Sequence, residues 1–221
     1  MERRVIHVDE SPIRFERWLR RFPHWLQRFF PTRGGRAHHE HGKGMFGFTV
    51  FLLSESIVFL SFILTYIALR LTANNWLPPG VKGPELSSSV IISTVVLLSS
   101  SIVIQLAERA LSHRHLNKFR LLWFTTSAMG TYFLFAEVKE WLGNDFGLTT
   151  GLVGGTFYLL TGFHGLHVLV GVLLQLLMLI RSFRRGNYNK GYLGVSMVTL
   201  FWHFVDGIWV ILFSLLYLWQ A

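Results

Sequence analysis

Five long apolar stretches constrain the fold of this chain more than any other feature. Crossing the hydrocarbon core of a bilayer, about 30 Å thick, takes roughly 20 consecutive apolar residues. The hydrophobic residues, 51% of the 221, are concentrated in these long runs, and one soluble core of this size cannot bury five such runs. The sequence therefore predicts an all-α membrane protein, a bundle of five transmembrane helices. The predicted helices cover about residues 45–69, 88–107, 121–141, 152–180 and 195–218.

The basic residues lie on alternate connections between these stretches. Residues 1–44 hold ten of the 21 Lys and Arg, and the second-to-third and fourth-to-fifth connections hold four each. The opposite side has only three. Because basic connections stay in the cytoplasm, we predict a cytoplasmic N-terminus and a C-terminus outside. We expect the basic residues behind the net charge of +9 to bind anionic lipid. Nucleic acid is not expected as a partner, since no nucleic-acid-binding motif is present.

The predicted organisation is a basic, aromatic cytoplasmic N-terminal arm and linker over residues 1–44, followed by a transmembrane domain over residues 45–221. Residues 12–30 mix arginines with aromatic and aliphatic residues at helical spacing, interrupted at Pro23. Such a segment either lies on the membrane surface as an amphipathic helix or orders against a neighbouring subunit. Residues 32–44 are rich in Gly and His and are interpreted as a linker.

The sequence excludes several kinds of chemistry. The chain has no cysteine, so a disulfide, a Cys-ligated metal, an iron–sulfur cluster and a covalently attached c-type haem are all excluded. It also lacks a Gly-rich phosphate loop, a nucleophile elbow and a His-Glu-x-x-His zinc motif. We therefore predict no active site and no catalytic residue in this chain.

Glu55 is the clearest polar residue inside an apolar stretch. It lies near the middle of the first predicted helix, where a charged group costs about 2.5–3.5 kcal/mol on insertion scales. One interpretation is a carboxyl group that exchanges protons or binds a lipid head group. Another is an interhelical hydrogen bond that holds the bundle together, and the two can coexist.

Three histidines and one aspartate occupy the last two predicted helices at similar depth. His164 and His167 lie three residues apart in the fourth helix, and His203 and Asp206 lie three apart in the fifth. They could form a metal site or ligate haem. Alternatively, they satisfy one another and Glu55 across helix interfaces. Helical spacing alone does not decide between these hypotheses.

Two further patterns concern helix ends. Glu137 and Glu140 end the third predicted helix beside an interfacial tryptophan, which predicts a solvated or salt-bridged end. Three glycines recur every fourth residue near the start of the fourth helix, a spacing that allows helices to approach closely in lipid. These are Gly147, Gly151 and Gly155.

Two motifs carry a resemblance to a known family. Residues 161–168 read TGFHGLHV, and residues 201–206 read FWHFVD and are followed by Trp209. Together they closely resemble subunit III of cytochrome c oxidase, a haem-copper oxidase. Residues 51–55, FLLSE, resemble the segment with that family's membrane-embedded, carbodiimide-reactive glutamate, and Glu140-Trp141 resembles the end of its third helix. The resemblance covers about residues 44–219 and is to the short bacterial form with five helices.

The resemblance implies a V-shaped helical bundle packed against oxidase subunit I, with subunit II in the same complex. It implies haem and copper in the partner subunits and none in this chain, bound phospholipid, support of proton uptake, and protection of the catalytic subunit. Carried over by position, the lipid-binding or proton-linked residues are Glu55, His164, His167, His203 and Asp206. The residues that support helix packing are Trp202, Trp209, Glu140 and Gly165.

The resemblance also bears on the electron donor and the membrane. Glu137 stands where cytochrome c oxidases usually have Gln, as in quinol oxidases, but quinol oxidases more often have Asp at the position of Glu55. Residues 77–80 (LPPG) and Asn187-Tyr188 resemble cyanobacterial cytochrome c oxidases. We expect a cytochrome c oxidase subunit, with cytochrome c as the electron donor of the complex. The alternatives are a quinol oxidase subunit and a membrane protein that binds metal or haem through its histidines. The expected location is the bacterial cell (inner, plasma) membrane, or the thylakoid membrane if the source is cyanobacterial.

Overall fold

The computed structural model describes residues 37–219, apart from 75, 82, 185–187, 189 and 190, and side chains from residue 44 onwards. Five long helices and no strand occur in this part of the chain, which confirms the predicted all-α class. The arm before residue 37 lies outside the described residues, so both interpretations of residues 12–30 stay predictions. The helices are α1 (Ala37–Thr72), α2 (Ser88–Ser112), α3 (Leu116–Gly143), α4 (Gly151–Ser182) and α5 (Leu193–Phe213), which runs into a π-helical turn (Ser214–Leu218).

Four of the described helices are long and apolar enough to cross a membrane. These spans are Gly44–Thr72, Ser88–Ser112, Gly151–Ser182 and Leu193–Leu218. Helix α3 has 28 residues and is about 42 Å long at 1.5 Å per residue, but hydroxyl side chains at residues 125–127 make it less apolar. Its outer face is nevertheless apolar, with Leu121 67% and Phe135 72% exposed.

Helices α2 to α5 form a closed arrangement. Each packs against the next along the chain, as the short connections require, and α2 also packs against α5. Three tryptophans, Trp123, Trp202 and Trp209, are almost fully buried between them. Burial of such large side chains on several helices gives these four helices one common core.

Helix α1 joins this core mainly through aromatic side chains. The ring of Phe59 lies 5.0 Å from that of Phe163 and 4.9 Å from the ring of His167 on α4. Near the other end, the hydroxyl of Tyr66 donates a hydrogen bond of 3.3 Å to the carbonyl of Leu215. Only 22% of the apolar window of α1 is buried, so most of its surface is left for lipid or for a partner.

The structure corrects two expectations about helix starts. Helix α1 begins at Ala37, so the last part of the predicted linker, residues 37–44, is helical. The glycine repeat does not form a packing face, because Gly147 precedes α4 and Gly151 adopts a positive φ of 63° where the helix begins. A Cβ placed on Gly155 would come no closer than 3.8 Å to the atoms around it. The positive φ at the helix start explains Gly151, and no helix–helix contact among the described residues accounts for the repeat.

Candidate functional site

Glu55 of α1 contacts His167 of α4 inside the bundle. The carboxyl oxygen Oε2 lies 3.2 Å from the ring nitrogen Nε2, and the two side chains are 23% and 12% exposed. The rings of Phe59 and Phe163 lie within 5 Å of the imidazole. This polar contact therefore lies among aromatic groups, at the junction between α1 and the other helices.

The hydrogen bonds of His167 define where its protons lie. Its Nδ1 is 2.8 Å from the carbonyl oxygen of Phe163, which only accepts, so Nδ1 carries a proton and donates it. The contact between Nε2 and Glu55 joins two groups that can both carry a proton, so the proton-linked interpretation of Glu55 stays a prediction.

His203 and Asp206 of α5 are connected through α2. Ser101 lies between them: its hydroxyl hydrogen-bonds to Oδ2 of Asp206 and is 3.0 Å from Nδ1 of His203. The other ring nitrogen of His203, Nε2, lies 3.1 Å from Oε1 of Gln105, and that amide oxygen can only accept. Four side chains thus form one continuous hydrogen-bonded chain between α2 and α5.

Ser101→Ala is expected to lower the free energy of unfolding by about 1–3 kcal/mol, the cost of leaving a buried polar group unpaired. Asp206 is buried and its Oδ1 has no hydrogen-bond partner in the described part of the chain. The substitution removes the partner of the other oxygen. Chemical unfolding of the detergent-solubilised protein measures this cost.

Ser99→Ala is the matched control for this substitution. Within the described residues, the Ser99 hydroxyl bonds only to a carbonyl of its own helix, that of Val96, at 2.9 Å. It should therefore unfold like the parent chain. Equal destabilisation by the two substitutions would contradict the role given to Ser101.

His164 differs from the other two histidines. It is fully buried, and neither ring nitrogen has a hydrogen-bond partner among the described residues. Its ring stacks on Trp209 at 4.8 Å and meets Phe133 edge-on at 5.8 Å. The expectation that all the buried polar residues satisfy one another is therefore wrong for His164.

The end of α3 is not the solvated end that the sequence predicted. Glu137 is only 6% exposed and its Oε1 has no partner in the described part of the chain. Its Oε2 would lie 2.7 Å from a Cβ placed on Gly165, so the absence of a side chain on Gly165 makes room for this carboxyl group. Glu140 is half-buried and accepts a hydrogen bond of 2.5 Å from the hydroxyl of Tyr217. Both acids lie against neighbouring helices because α4 and the π-helical turn cover the end of α3.

The two tryptophans of α5 bond to hydroxyl groups of α2. The indole nitrogen of Trp202 donates to Ser100 at 2.8 Å, and that of Trp209 donates to Thr94 at 3.1 Å. The sequence did not identify these partners, nor Ser101 and Gln105. The sequence does contain hydroxyl and amide residues at helical spacing along α2. This spacing does not show which neighbouring helix those side chains face.

The structure does not bring the histidines together as a metal site requires. His167 faces α1, His203 faces α2, and His164 faces Trp209. No group of three or more potential ligands occurs within the residues that the structure describes. The hypothesis of a metal site built on all three histidines is therefore wrong.

Taken together, the helices and their contacts define a class: a multi-pass helical membrane protein whose inner polar groups mostly pair across helix interfaces. Comparison with known proteins identifies the family. A sequence model of cytochrome c oxidase subunit III matches residues 31–221. The chain therefore belongs to the cytochrome c oxidase subunit III family and is part of a membrane-bound oxidase complex, as the sequence motifs indicated.

Individual relatives support this assignment. Cytochrome c oxidase subunit 3 of Thermostichus vulcanus is 42% identical over 183 residues, which cover 82% of this chain and 90% of the relative. That of Synechocystis sp. is 40% identical, covering 83% and 80%. The subunit 3 of Tragelaphus oryx is 30% identical, covering 89% and 78%. The similarity thus extends over most of each protein.

Proposed function

We propose that this chain is an accessory, redox-inactive subunit of a proton-pumping terminal oxidase that reduces oxygen to water in aerobic respiration. The observation that carries the proposal is the contact between Glu55 and His167. It brings a carboxyl group within 3.2 Å of an imidazole on helices whose outer surfaces are mostly apolar, which supports a proton-linked role. In this role the subunit stabilises the catalytic subunit, retains phospholipid and supports proton uptake.

The haem and copper are assigned to the partner subunits. The three histidines on α4 and α5 face three different surroundings, so their arrangement suits helix packing better than metal ligation. The main partner is oxidase subunit I, with subunit II in the same complex. Both the basic connections and the apolar outer surface favour bound phospholipid as a further partner.

Cytochrome c is the proposed electron donor, because the relatives that match over most of this chain are named cytochrome c oxidase subunit 3. Quinol is the second candidate, and the glutamate at position 137 is the observation that favours it. The proposed location is the cell membrane of a bacterium, or a thylakoid membrane, since two of the relatives come from Thermostichus and Synechocystis.

Purification from native membranes tests the proposal. An affinity-tagged chain, extracted in mild detergent, is expected to bring down a larger membrane subunit with a haem spectrum. The same preparation should consume oxygen with reduced cytochrome c faster than with quinol, and the reverse order would favour the second candidate. Recovery of the intact chain without any haem-containing subunit would contradict the accessory role.

The isolated chain supplies the matching control. After separation from the other subunits it should show no visible absorption from haem and no stoichiometric iron or copper. Bound haem or metal in the isolated chain would favour the alternative of a His-ligated redox protein.

A further inference from the structure

Two acids and a tyrosine converge at the end of α3 that lies opposite the basic connections. Glu137 and Glu140 are three residues apart, so they share one face of this helix with about 5–6 Å between their Cβ atoms. The hydroxyl of Tyr217 donates to Oε1 of Glu140 at 2.5 Å. Glu137 lies within electrostatic reach of both groups. We name these three side chains the outer acid cluster.

The π-helical turn after α5 places the tyrosine in this cluster. The turn covers Ser214–Leu218 and is closed by a hydrogen bond of 2.9 Å from the backbone N–H of Trp219 to the carbonyl of Ser214. Tyr217 lies in this turn and is only 4% exposed. Single π-helical turns at α-helices occur frequently at functional sites. The local backbone geometry is therefore a second feature, independent of the acids, that marks this place.

The carboxyl group of Glu137 is buried without a partner. Glu137 is 6% exposed, and its Oε1 makes no hydrogen bond in the described part of the chain. Neither Glu137 nor Glu140 has a Lys or Arg within salt-bridge distance among the described residues. Removing an unpaired charge from water costs far more than removing a neutral group. A carboxyl group in these surroundings therefore favours its protonated form.

Glu140 adds a second reason for a bound proton. This side chain is half-buried, and the hydrogen bond from Tyr217 favours its ionised form. Two carboxylates at this separation repel each other, so ionisation of Glu140 disfavours ionisation of Glu137. Acids that interact in this way take up and release protons as a pair.

The other titratable and charged groups around the cluster do not pair with Glu137 in the described part of the chain. Lys139 of α3 and Asp145 after it are exposed. On α4, the ring of His164 stacks on Trp209, and the hydroxyl of Tyr158 donates to two backbone carbonyls. Arg70 of α1 lies over two tryptophan rings. The two glutamates therefore have each other as their main electrostatic partners.

We propose that the outer acid cluster is a proton-binding site in which Glu137 and Glu140 together hold one proton. Glu137 carries the proton, and Tyr217 stabilises the negative charge on Glu140. Glu140 is the more exposed of the two acids and connects the site to the surface. The site is separate from the contact between Glu55 and His167. It is built from this chain alone, so its test does not depend on the proposed function.

Infrared spectroscopy of the detergent-solubilised full chain tests the proposal, because a protonated carboxyl group absorbs apart from carboxylates and amides. Near neutral pH, Glu137→Gln is expected to remove the absorption of one protonated carboxyl group per chain. Asp145→Asn is the matched control, since Asp145 is exposed on the same side of the membrane domain, and its spectrum should match that of the parent chain. An unchanged spectrum of Glu137→Gln, or an equal loss in Asp145→Asn, would overturn the proposal.

Glu140→Gln tests whether the two acids act as a pair. Without the negative charge of Glu140, Glu137 should release its proton at a lower pH than in the parent chain, by about one pH unit or more. A pH titration of the same infrared band measures this shift. A band that titrates at the same pH in both chains would show that the acids are independent, and the shared site would be wrong.

Gly165→Ala moves the carboxyl group without removing an acid. A Cβ on Gly165 would lie 2.7 Å from Oε2 of Glu137, which is the flexible end of that side chain, so the carboxyl group is displaced from its buried position. Glu137 should then also release its proton at a lower pH. Gly155→Ala is the control, because a Cβ there comes no closer than 3.8 Å to other atoms, and it should titrate like the parent chain. Equal titration of Gly165→Ala and the parent chain would contradict the proposal, and this comparison decides it if Glu137→Gln does not fold.

Discussion

Gly130→Ala and Gly171→Ala are each expected to lower the free energy of unfolding by about 1–3 kcal/mol, the usual cost of overpacking a core. For a chain of this length the unfolding midpoint would fall by roughly 2–12 °C. The reason is Trp202, which is fully buried and whose ring lies against both glycines. A Cβ on Gly130 would be 2.5 Å from this ring, and one on Gly171 would be 2.8 Å from it.

The tryptophan cannot move aside to relieve either contact. Its indole nitrogen is held by Ser100 on α2 at 2.8 Å, while α3 and α4 supply the two glycines. An added methyl group must therefore displace a helix or break the hydrogen bond. Three helices meet α5 at this one side chain, so the effect is expected to be global and not local.

Thermal unfolding of the detergent-solubilised chain, followed by circular dichroism, measures the effect. Gly47→Ala is the matched control: it is also a glycine within a helix, but a Cβ there has open space. Helix propensity alone favours Ala over Gly by about 1 kcal/mol, so the control should be neutral or slightly more stable. Similar midpoints for Gly130→Ala and Gly47→Ala would contradict the packing role of Trp202.

The number and class of the helices could be predicted from the sequence because they depend on local properties. Runs of about 20 apolar residues specify membrane helices whatever their neighbours are. The first boundary was less predictable, since α1 begins at Ala37 and not where the apolar run begins. An apolar run marks only the part of a helix that lies in hydrocarbon. The helix itself can extend further into a polar sequence, because its backbone hydrogen bonds do not depend on apolar side chains.

The site was predictable as a set of residues but not as a set of contacts. Glu55 and His167 are 112 positions apart, and only the packing of α1 on α4 brings them together. Asp206 contacts Ser101, a residue that resembles many other serines of α2 in the sequence. The burial of Glu137 likewise depends on a residue of another helix, Gly165 of α4. Pairing across helices is a property of the tertiary structure and has no local pattern in the sequence.

Glu55→Ala is expected to impair proton uptake and phospholipid retention of the intact oxidase while leaving oxygen binding unchanged. The substitution removes the carboxyl group that lies 3.2 Å from Nε2 of His167. Without it, the imidazole loses its hydrogen-bond partner on α1 and the membrane domain loses an acidic group. Proton uptake during turnover, measured with a pH-sensitive dye, should fall accordingly.

Glu55→Gln separates the two interpretations of this residue. Because Nδ1 of His167 donates to the carbonyl of Phe163, Nε2 of the neutral ring can accept a bond from the glutamine NH₂ group. This variant therefore keeps the contact between α1 and α4 but cannot release a proton from position 55. If Glu55 is proton-linked, Glu55→Gln should retain phospholipid and stability but lose proton uptake. If the contact is only structural, it should behave like the parent chain in all three measurements.

Ser54→Ala controls for disturbance of α1 at the same depth. The Ser54 hydroxyl donates only to the carbonyl of Phe51 in its own helix, at 2.7 Å, so uptake and lipid content should stay unchanged. Unchanged uptake and unchanged lipid content in Glu55→Ala itself would contradict any functional role for the carboxyl group. The apolar surroundings make such a result unexpected, because an acid placed there without a role would be a net cost to the membrane domain.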